Sequence, residues 1–154
     1  MVDTNKTGTV IRLQAWDKNG KLKFDDTVHN LGMTVRLPVI AGLYGGVDSQ
    51  TAFSYLAVGE TATAPAANQT TLVLEITGSG LARASATVSR VTTTSTNDTT
   101  RFYKLWNVSA SKTVQEVAYF NASSGGVMGG RALTGTKTLD NGDTFSVTYD
   151  VIHS

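Results

Sequence analysis

Hydrophobic and polar residues alternate along most of the chain, and this period of two predicts β-strands rather than helices. A first alternating run covers residues 9–16 and a second covers residues 21–24, on either side of Asp17-Lys18-Asn19-Gly20. Asn and Gly tolerate the positive φ angles that a tight turn requires. The pattern therefore predicts a β-hairpin near the start of the chain.

Residues 34–44 carry the one clear spacing of an amphipathic helix. Thr34 is a candidate N-cap, and Pro38 falls within the first turn or so, where its missing N–H costs little. Gly45-Gly46 ends the segment. Apolar residues at i, i+3, i+4 and i+7 predict a stripe that packs on a sheet. This stripe consists of Leu37, Ile40, Ala41 and Tyr44.

The rest of the chain is rich in strand signals separated by polar turns. Residues 60–69 form a predicted loop around Pro65, and residues 71–76 fit either a strand or one helical turn. Turn residues recur at a spacing of roughly ten residues, which is typical of an antiparallel sandwich or barrel. We therefore predict a mainly β, antiparallel β-sandwich or barrel-like domain over residues 9–154, with one short α-helix. Its further strands are predicted at residues 53–59, 81–94, 100–109, 114–120, 131–139 and 144–152.

The start of the chain is polar and Thr-rich and shows no periodicity. This composition predicts a flexible, extended N-terminal arm over residues 1–8. Such an arm gains main-chain hydrogen bonds when it adds as a strand to a neighbouring protein. The candidate partner-binding residues are therefore Met1, Val2, Asp3, Thr4, Asn5, Lys6, Thr7 and Gly8.

Composition and charge limit the classes of function that the chain can have. The 154 residues have the length of one domain, and Asp, Glu, Lys and Arg make up 16% of them against a usual share of about 25%. A formal net charge of +1 without a basic cluster argues against nucleic acid and anionic membranes as partners. The absence of cysteine excludes disulfide scaffolds and thiolate chemistry. Few charges mean weak self-repulsion, which suits a protein that packs against neighbours.

Residues that could form a reactive site are few. The two histidines, His29 and His153, lack further ligands at zinc spacing, so a hydrogen-bonded turn residue and a solvated terminal residue are the simpler interpretations. The carboxylates in residues 17–20, 25–26 and 140–143 could approach calcium, but none matches the calcium-loop pattern. Neither a nucleophile elbow nor a phosphate loop occurs in the sequence. We therefore expect no enzyme activity, no cofactor and no bound metal.

Aromatic side chains leave one alternative open, since exposed rings can stack on sugars. Most of them fall at alternating strand positions, where core packing or subunit contact is the commoner role. Glycan binding is therefore possible but is the less favoured interpretation. The candidate rings are Trp16, Trp106, Tyr44, Tyr55, Tyr103 and Tyr119.

Several segments together carry a resemblance. They are Val28-His29-Asn30, residues 53–65 (FSYLAVGETATAP), residues 68–72, residues 81–84 and the run Glu116-Val117-Ala118-Tyr119-Phe120-Asn121-Ala122. As a set they resemble a family of small tailed-bacteriophage virion proteins, over about residues 28–152, with Glu60 in place of the usual small residue. The resemblance implies a structural component of a phage particle without a catalytic set. It fits a head decoration (cement) protein or a module of a tail fibre or baseplate.

These observations predict a capsid decoration protein that binds the exterior of a phage head and stabilises it. We expect a homotrimer whose second partner is the major capsid protein, located on the virion surface after synthesis in the host bacterial cytoplasm. We expect no nucleic-acid or membrane partner. The alternative is a tail-fibre, baseplate or head-surface module that binds a host receptor or a glycan.

Overall fold

The computed structural model describes residues 8–153, which form two five-stranded antiparallel sheets and one helix. Sheet A has the strand order β2-β1-β10-β7-β6, and sheet B has the order β3-β9-β8-β4-β5. The predicted β-sandwich with one short helix is confirmed. The elements are β1 (Gly8–Trp16), β2 (Leu22–Val28), β3 (Leu31–Gly32), α1 (Arg36–Gly45), β4 (Tyr55–Gly59), β5 (Ala84–Ser85), β6 (Thr87–Val91), β7 (Thr99–Asn107), β8 (Lys112–Phe120), β9 (Met128–Leu139) and β10 (Thr144–Ile152).

The predicted N-terminal arm falls almost entirely outside the described residues, because residues 1–7 precede them. Gly8, assigned to the arm from the sequence, is instead the first residue of β1 and pairs with Ile152. Strand pairing with β10 therefore begins one residue before the predicted domain boundary.

The predicted hairpin at the start of the chain is present as β1 and β2, which pair from Ile11–Val28 to Trp16–Leu22. In its turn, the Asp17 carboxylate accepts the backbone N–H groups of Asn19 and Lys21 at 2.8 and 2.9 Å. These hydrogen bonds lower the pKa of Asp17. Local turn chemistry therefore fixes this hairpin, as the sequence pattern indicates.

The segment predicted as one strand over residues 81–94 forms two short strands that belong to different sheets. Strand β5 pairs with β4 in sheet B, whereas β6 pairs with β7 in sheet A. At the crossing, the Ala86 N–H donates to the Ser54 carbonyl at 2.8 Å. Residues 71–76 form neither a strand nor a helical turn, since they make only the single bridge Gly59–Glu75. Strand periodicity predicts extended backbone but does not identify the neighbouring strand.

The helix differs from its prediction in its start and in its buried face. It begins at Arg36, and Val35 occupies the N-cap position without a side-chain cap, so Thr34 does not cap it. The predicted stripe is wrong, because Leu37 and Tyr44 are exposed. The face that packs on the sandwich instead consists of Arg36, Val39 and Gly42.

The rotation of α1 has a steric cause. The Arg36 side chain fills the space above Gly32, where an added Cβ would lie 1.9 Å from Nη1, and it lies 3.5 Å from the Gly129 carbonyl oxygen. At Gly42, an added Cβ would meet the Gln50 side chain at 2.3 Å. Both close approaches require a glycine. The helix face that packs most tightly is therefore not the face with the most apolar side chains.

The core between the sheets is centred on the ring of Tyr119. Its centroid lies 5.1 Å from that of Phe53, 5.2 Å from that of Phe102 and 5.0 Å from that of Tyr149. Gly129 lies directly against this ring, since an added Cβ would be 1.9 Å from Tyr119 Cε2. The close packing of backbone and rings holds the two sheets in one fixed arrangement.

The two buried tyrosines predict the response of the fold to alkaline pH. Burial raises the pKa of Tyr119 and raises that of Tyr149 well above its usual range. A phenol with a raised pKa stabilises the folded state below its unfolded pKa of about 10, and this stabilisation is lost as the pH rises further. We expect the tyrosinate absorbance of both residues to appear only together with unfolding. Ultraviolet absorbance and circular dichroism followed in one alkaline titration measure this. Full tyrosinate absorbance with unchanged dichroism would contradict it.

Candidate functional site

The carboxylates considered as calcium ligands at the 140–143 turn are occupied by a lysine. Lys23 Nζ lies 2.9 Å from Asp140 Oδ2 and 2.6 Å from Asp143 Oδ2. The hydrogen bond to Asp143 raises the pKa of Lys23, and Lys23 in turn lowers the pKa of Asp140. The ammonium group therefore lies where a cation would bind. Within residues 8–153, no group of three or more His, Asp or Glu side chains could hold a metal ion.

The remaining candidate ligands also have structural partners. Arg12 binds Asp25 with Nε–Oδ1 and Nη2–Oδ2 distances of 2.8 and 2.5 Å, which lowers the pKa of that carboxyl. Asp26 forms an ion pair with Lys137. His29 Nδ1 donates to a backbone carbonyl of β1, and His153 Nε2 lies 2.9 Å from Thr100 Oγ1. These groups hold strands together and are not gathered into one reactive site.

The three glutamates form ion pairs with three different basic side chains. Glu60 lies 2.9 Å from Lys112, and Glu75 lies 2.7 Å from Arg83. The third pair joins Glu116 of β8 to Arg131 of β9 at 2.6 Å. Sequence analysis did not predict these pairs, because the partners are far apart along the chain. The nearest in sequence, Glu75 and Arg83, is separated by a loop rather than by helical spacing.

The Glu116–Arg131 pair fixes the long segment between β4 and β5 to sheet B. Both side chains are fully buried, at 0% exposure. Glu116 accepts the backbone N–H groups of Val73 and Leu74 at 3.4 and 2.9 Å. Arg131 donates to the Thr63 carbonyl at 2.8 Å, so one buried pair holds the loop both near its start and at its middle. The polar groups of the pair are thereby satisfied without water.

Arg83 plays the same part for the loop between β8 and β9. It donates through Nη1 to the carbonyl oxygens of Ala122 and Gly125, at 3.1 and 2.8 Å, while Nε and Nη2 bind Glu75. Its guanidinium carbon lies 3.6 Å above the centroid of the Phe120 ring. Strand β9 begins at Met128, before the strand predicted at residues 131–139, so this loop is shorter than the sequence indicates and Arg83 ties it down.

The rotation of α1 leaves apolar side chains facing an open groove. The groove encloses about 280 Å³ between the helix and sheet A. Tyr44 at its rim is 88% exposed. The sequence pattern placed Tyr44 in the core. Because the helix buries a different face, the sequence did not predict the groove. Its apolar lining includes Ile40, Leu43, Tyr44, Val88, Phe102 and Val151.

Within residues 8–153, the structure contains a single helix. Helix α1 has only ten residues, and no helix in this part of the chain is long and apolar enough to cross a membrane.

The comparisons with known proteins identify the family. The profile of the family described as "Podophage GP4 fiber I protein gp80" matches residues 42–153, from the middle of α1 to the end of β10. No curated protein and no solved structure matches the chain significantly. The family match confirms the resemblance to phage virion structural proteins and covers most of the chain. The protein therefore belongs to the podophage GP4 fiber I protein gp80 family and is a bacteriophage structural protein.

Proposed function

We propose that this phage structural protein is a subunit of a fibre on the outside of the virion. The observation that carries the proposal is the family match over residues 42–153, since the family is described as a fiber protein. The sequence favoured a decoration protein on the capsid surface, with a tail fibre as the alternative. The family description supports the fibre more directly than head decoration.

The arrangement of charges supports a structural role rather than catalysis. Glu116, Glu75 and Glu60 are all engaged in ion pairs, two of which tie loops to sheet B. Carboxylates whose oxygens are bound by basic side chains and by backbone N–H groups serve to hold elements of the fold together. We propose that the protein transforms no substrate and acts by binding copies of itself and another protein of the particle.

Labelling of purified phage particles tests the position of the protein. We expect gold-labelled antibody fragments raised against this chain to mark fibres in electron micrographs. Label confined to the head shell would contradict the fibre and support the decoration protein predicted from the sequence. Particles without label, produced by a phage that expresses the protein normally, would contradict both. Particles from a phage that lacks the gene provide the control.

The predicted partner-binding residues lead to a second test. A variant that lacks residues 2–7 keeps Gly8 and thus the complete pairing of β1 with β10. We expect this variant to unfold at the same temperature as the full chain but to be incorporated poorly into particles, because the deleted arm is proposed to add a strand to its partner. Complementation of a phage that lacks the gene, followed by sedimentation and immunoblotting, measures incorporation. Equal incorporation of both chains would refute a role for the arm.

The predicted homotrimer also stays a proposal. A trimer would bind the particle through three linked contacts, so that individually weak contacts give strong overall binding. Light scattering of the purified chain gives the number of copies directly, and a mass of three chains, or of a multiple of three, is the expected result.

A further inference from the structure

Strand β6 is an open edge of sheet A. It is the last strand in the order β2-β1-β10-β7-β6, and no other strand within residues 8–153 pairs with its outer side. Four of its five residues, Thr87 to Arg90, are exposed, and Val91 is half-buried. An outer strand of this kind presents unpaired N–H and C=O groups that can pair with another chain.

The two outer strands of sheet A differ in how they are protected. Strand β2 carries Lys23, Asp25 and Asp26, and all three form ion pairs. Charged residues on an outer strand discourage pairing with a second sheet. Strand β6 has a single charge, Arg90, no proline and an uninterrupted register with β7. Of the two outer strands that sheet A has within residues 8–153, β6 is therefore the one suited to accept a further strand.

Apolar surface continues from β6 into the neighbouring groove. Val88 is 45% exposed and pairs with Phe102 of β7, so the two side chains lie on the same face of sheet A. Across the groove, Leu43 and Tyr44 of α1 are exposed as well. Edge hydrogen bonds and apolar side chains thus lie on one continuous surface, the combination that strand addition uses.

We propose that β6 pairs antiparallel with β6 of a second copy of this chain, and that the second copy also covers the groove. When the five residues pair along their full length, Ser89 lies opposite Ser89 of the partner. Val88 then lies opposite Arg90, so the two Arg90 side chains never face each other. A contact of one surface with itself around a two-fold axis needs this kind of self-complementarity.

Charge and apolar area both favour a second copy as the occupant. The formal net charge of +1 leaves little repulsion between two chains. The two-fold axis brings two grooves to the same interface, so the exposed apolar surface of each chain is covered by the other. This contact is separate from the proposed position on the particle and from the contacts that would form the proposed trimer. It joins two chains, or two trimers through one chain of each.

Substitution of Val88 by lysine tests the contact. The new ammonium group lies opposite Arg90 of the partner and in the apolar groove, and like charges across paired strands are unfavourable. Leu22→Lys is the matched control, because Leu22 lies on β2, the opposite outer strand, with a similar exposure of 48%. By analytical ultracentrifugation, we expect wild type and Leu22→Lys to have twice the mass of Val88→Lys. An unchanged mass for Val88→Lys, or a wild type that does not associate, would overturn the proposal.

A crosslink distinguishes the two-fold register from other contacts and does not depend on a destabilising change. The natural chain has no cysteine, so Ser89→Cys introduces a single thiol at the centre of the proposed pairing. Opposite residues of paired strands bring their Cβ atoms within disulfide range. Under mild oxidation, we expect covalent dimers of Ser89→Cys and none of the control Thr27→Cys, which is exposed on β2. Absence of the Ser89→Cys dimer would overturn the two-fold pairing. If the wild type associates and Val88→Lys has the same mass, this contact is refuted. The proposed role on the virion is then unaffected.

Discussion

Replacement of Glu116 by alanine is expected to lower the free energy of unfolding by about 3–5 kcal/mol, the cost of removing one partner of a buried ion pair. Arg131 would keep its charge at 0% exposure without a carboxylate beside it. The backbone N–H of Leu74, which now donates to Glu116 at 2.9 Å, would lose its acceptor as well. Unfolding in urea, followed by circular dichroism, measures the change.

Two further variants identify the cause of this loss. Glu116→Gln retains an amide oxygen for the Leu74 N–H but removes the negative charge, so we expect a loss between those of wild type and Glu116→Ala. Glu60→Ala breaks a half-exposed ion pair with Lys112, for which we expect less than about 1 kcal/mol. Equal losses in Glu116→Ala and Glu60→Ala would show that the buried pair does not hold the loop. Limited proteolysis gives an independent readout, since release of residues 60–83 should open new cleavage sites.

Replacement of Gly129 by alanine is expected to destabilise the protein by about 3 kcal/mol, at the upper end of the usual cost of overpacking a core. The added Cβ would lie 1.9 Å from Tyr119 Cε2, well inside contact distance. The Tyr119 ring cannot easily move aside, because the rings of Phe53, Phe102 and Tyr149 surround it. The backbone of β9 must therefore shift, and it carries the pairing with β8 along.

Gly78→Ala is the matched control for this substitution. An added Cβ at Gly78 meets no atom within 4 Å. Neither Gly78 nor Gly129 has a positive φ, so backbone strain does not separate the two variants. Thermal unfolding followed by circular dichroism compares them. If Gly129→Ala unfolds at the temperature of wild type, the close packing of β9 against Tyr119 is not needed for stability.

The features that sequence analysis predicted correctly depend on neighbouring residues. The hairpin of β1 and β2 follows from alternation and from the turn at Asp17, whose carboxylate binds backbone groups only two and four residues away. The C-terminal end of α1 follows from Gly46, which has the left-handed conformation typical of a helix end. Such interactions are complete within a few residues, so their pattern is visible in the sequence.

The features that were missed depend on residues distant in sequence. Arg36 is buried because Gly32 leaves room for its side chain and the Gly129 carbonyl lies within reach of its guanidinium, and this turned the helix so that Tyr44 faces solvent. The crossing at Ala86 depends on the Ser54 carbonyl. No periodicity within residues 34–44 or 81–94 contains this information.

By itself, the sequence determined the class of fold, the positions of most strands and the likeness to phage structural proteins, since alternation, turn residues and short motifs are local properties. Only the tertiary structure decided which helix face is buried, which charges pair across the sheets and which strand remains open at the edge. These depend on how closely distant backbones and side chains approach one another. The surface proposed for assembly, β6 and its groove, belongs entirely to this second group.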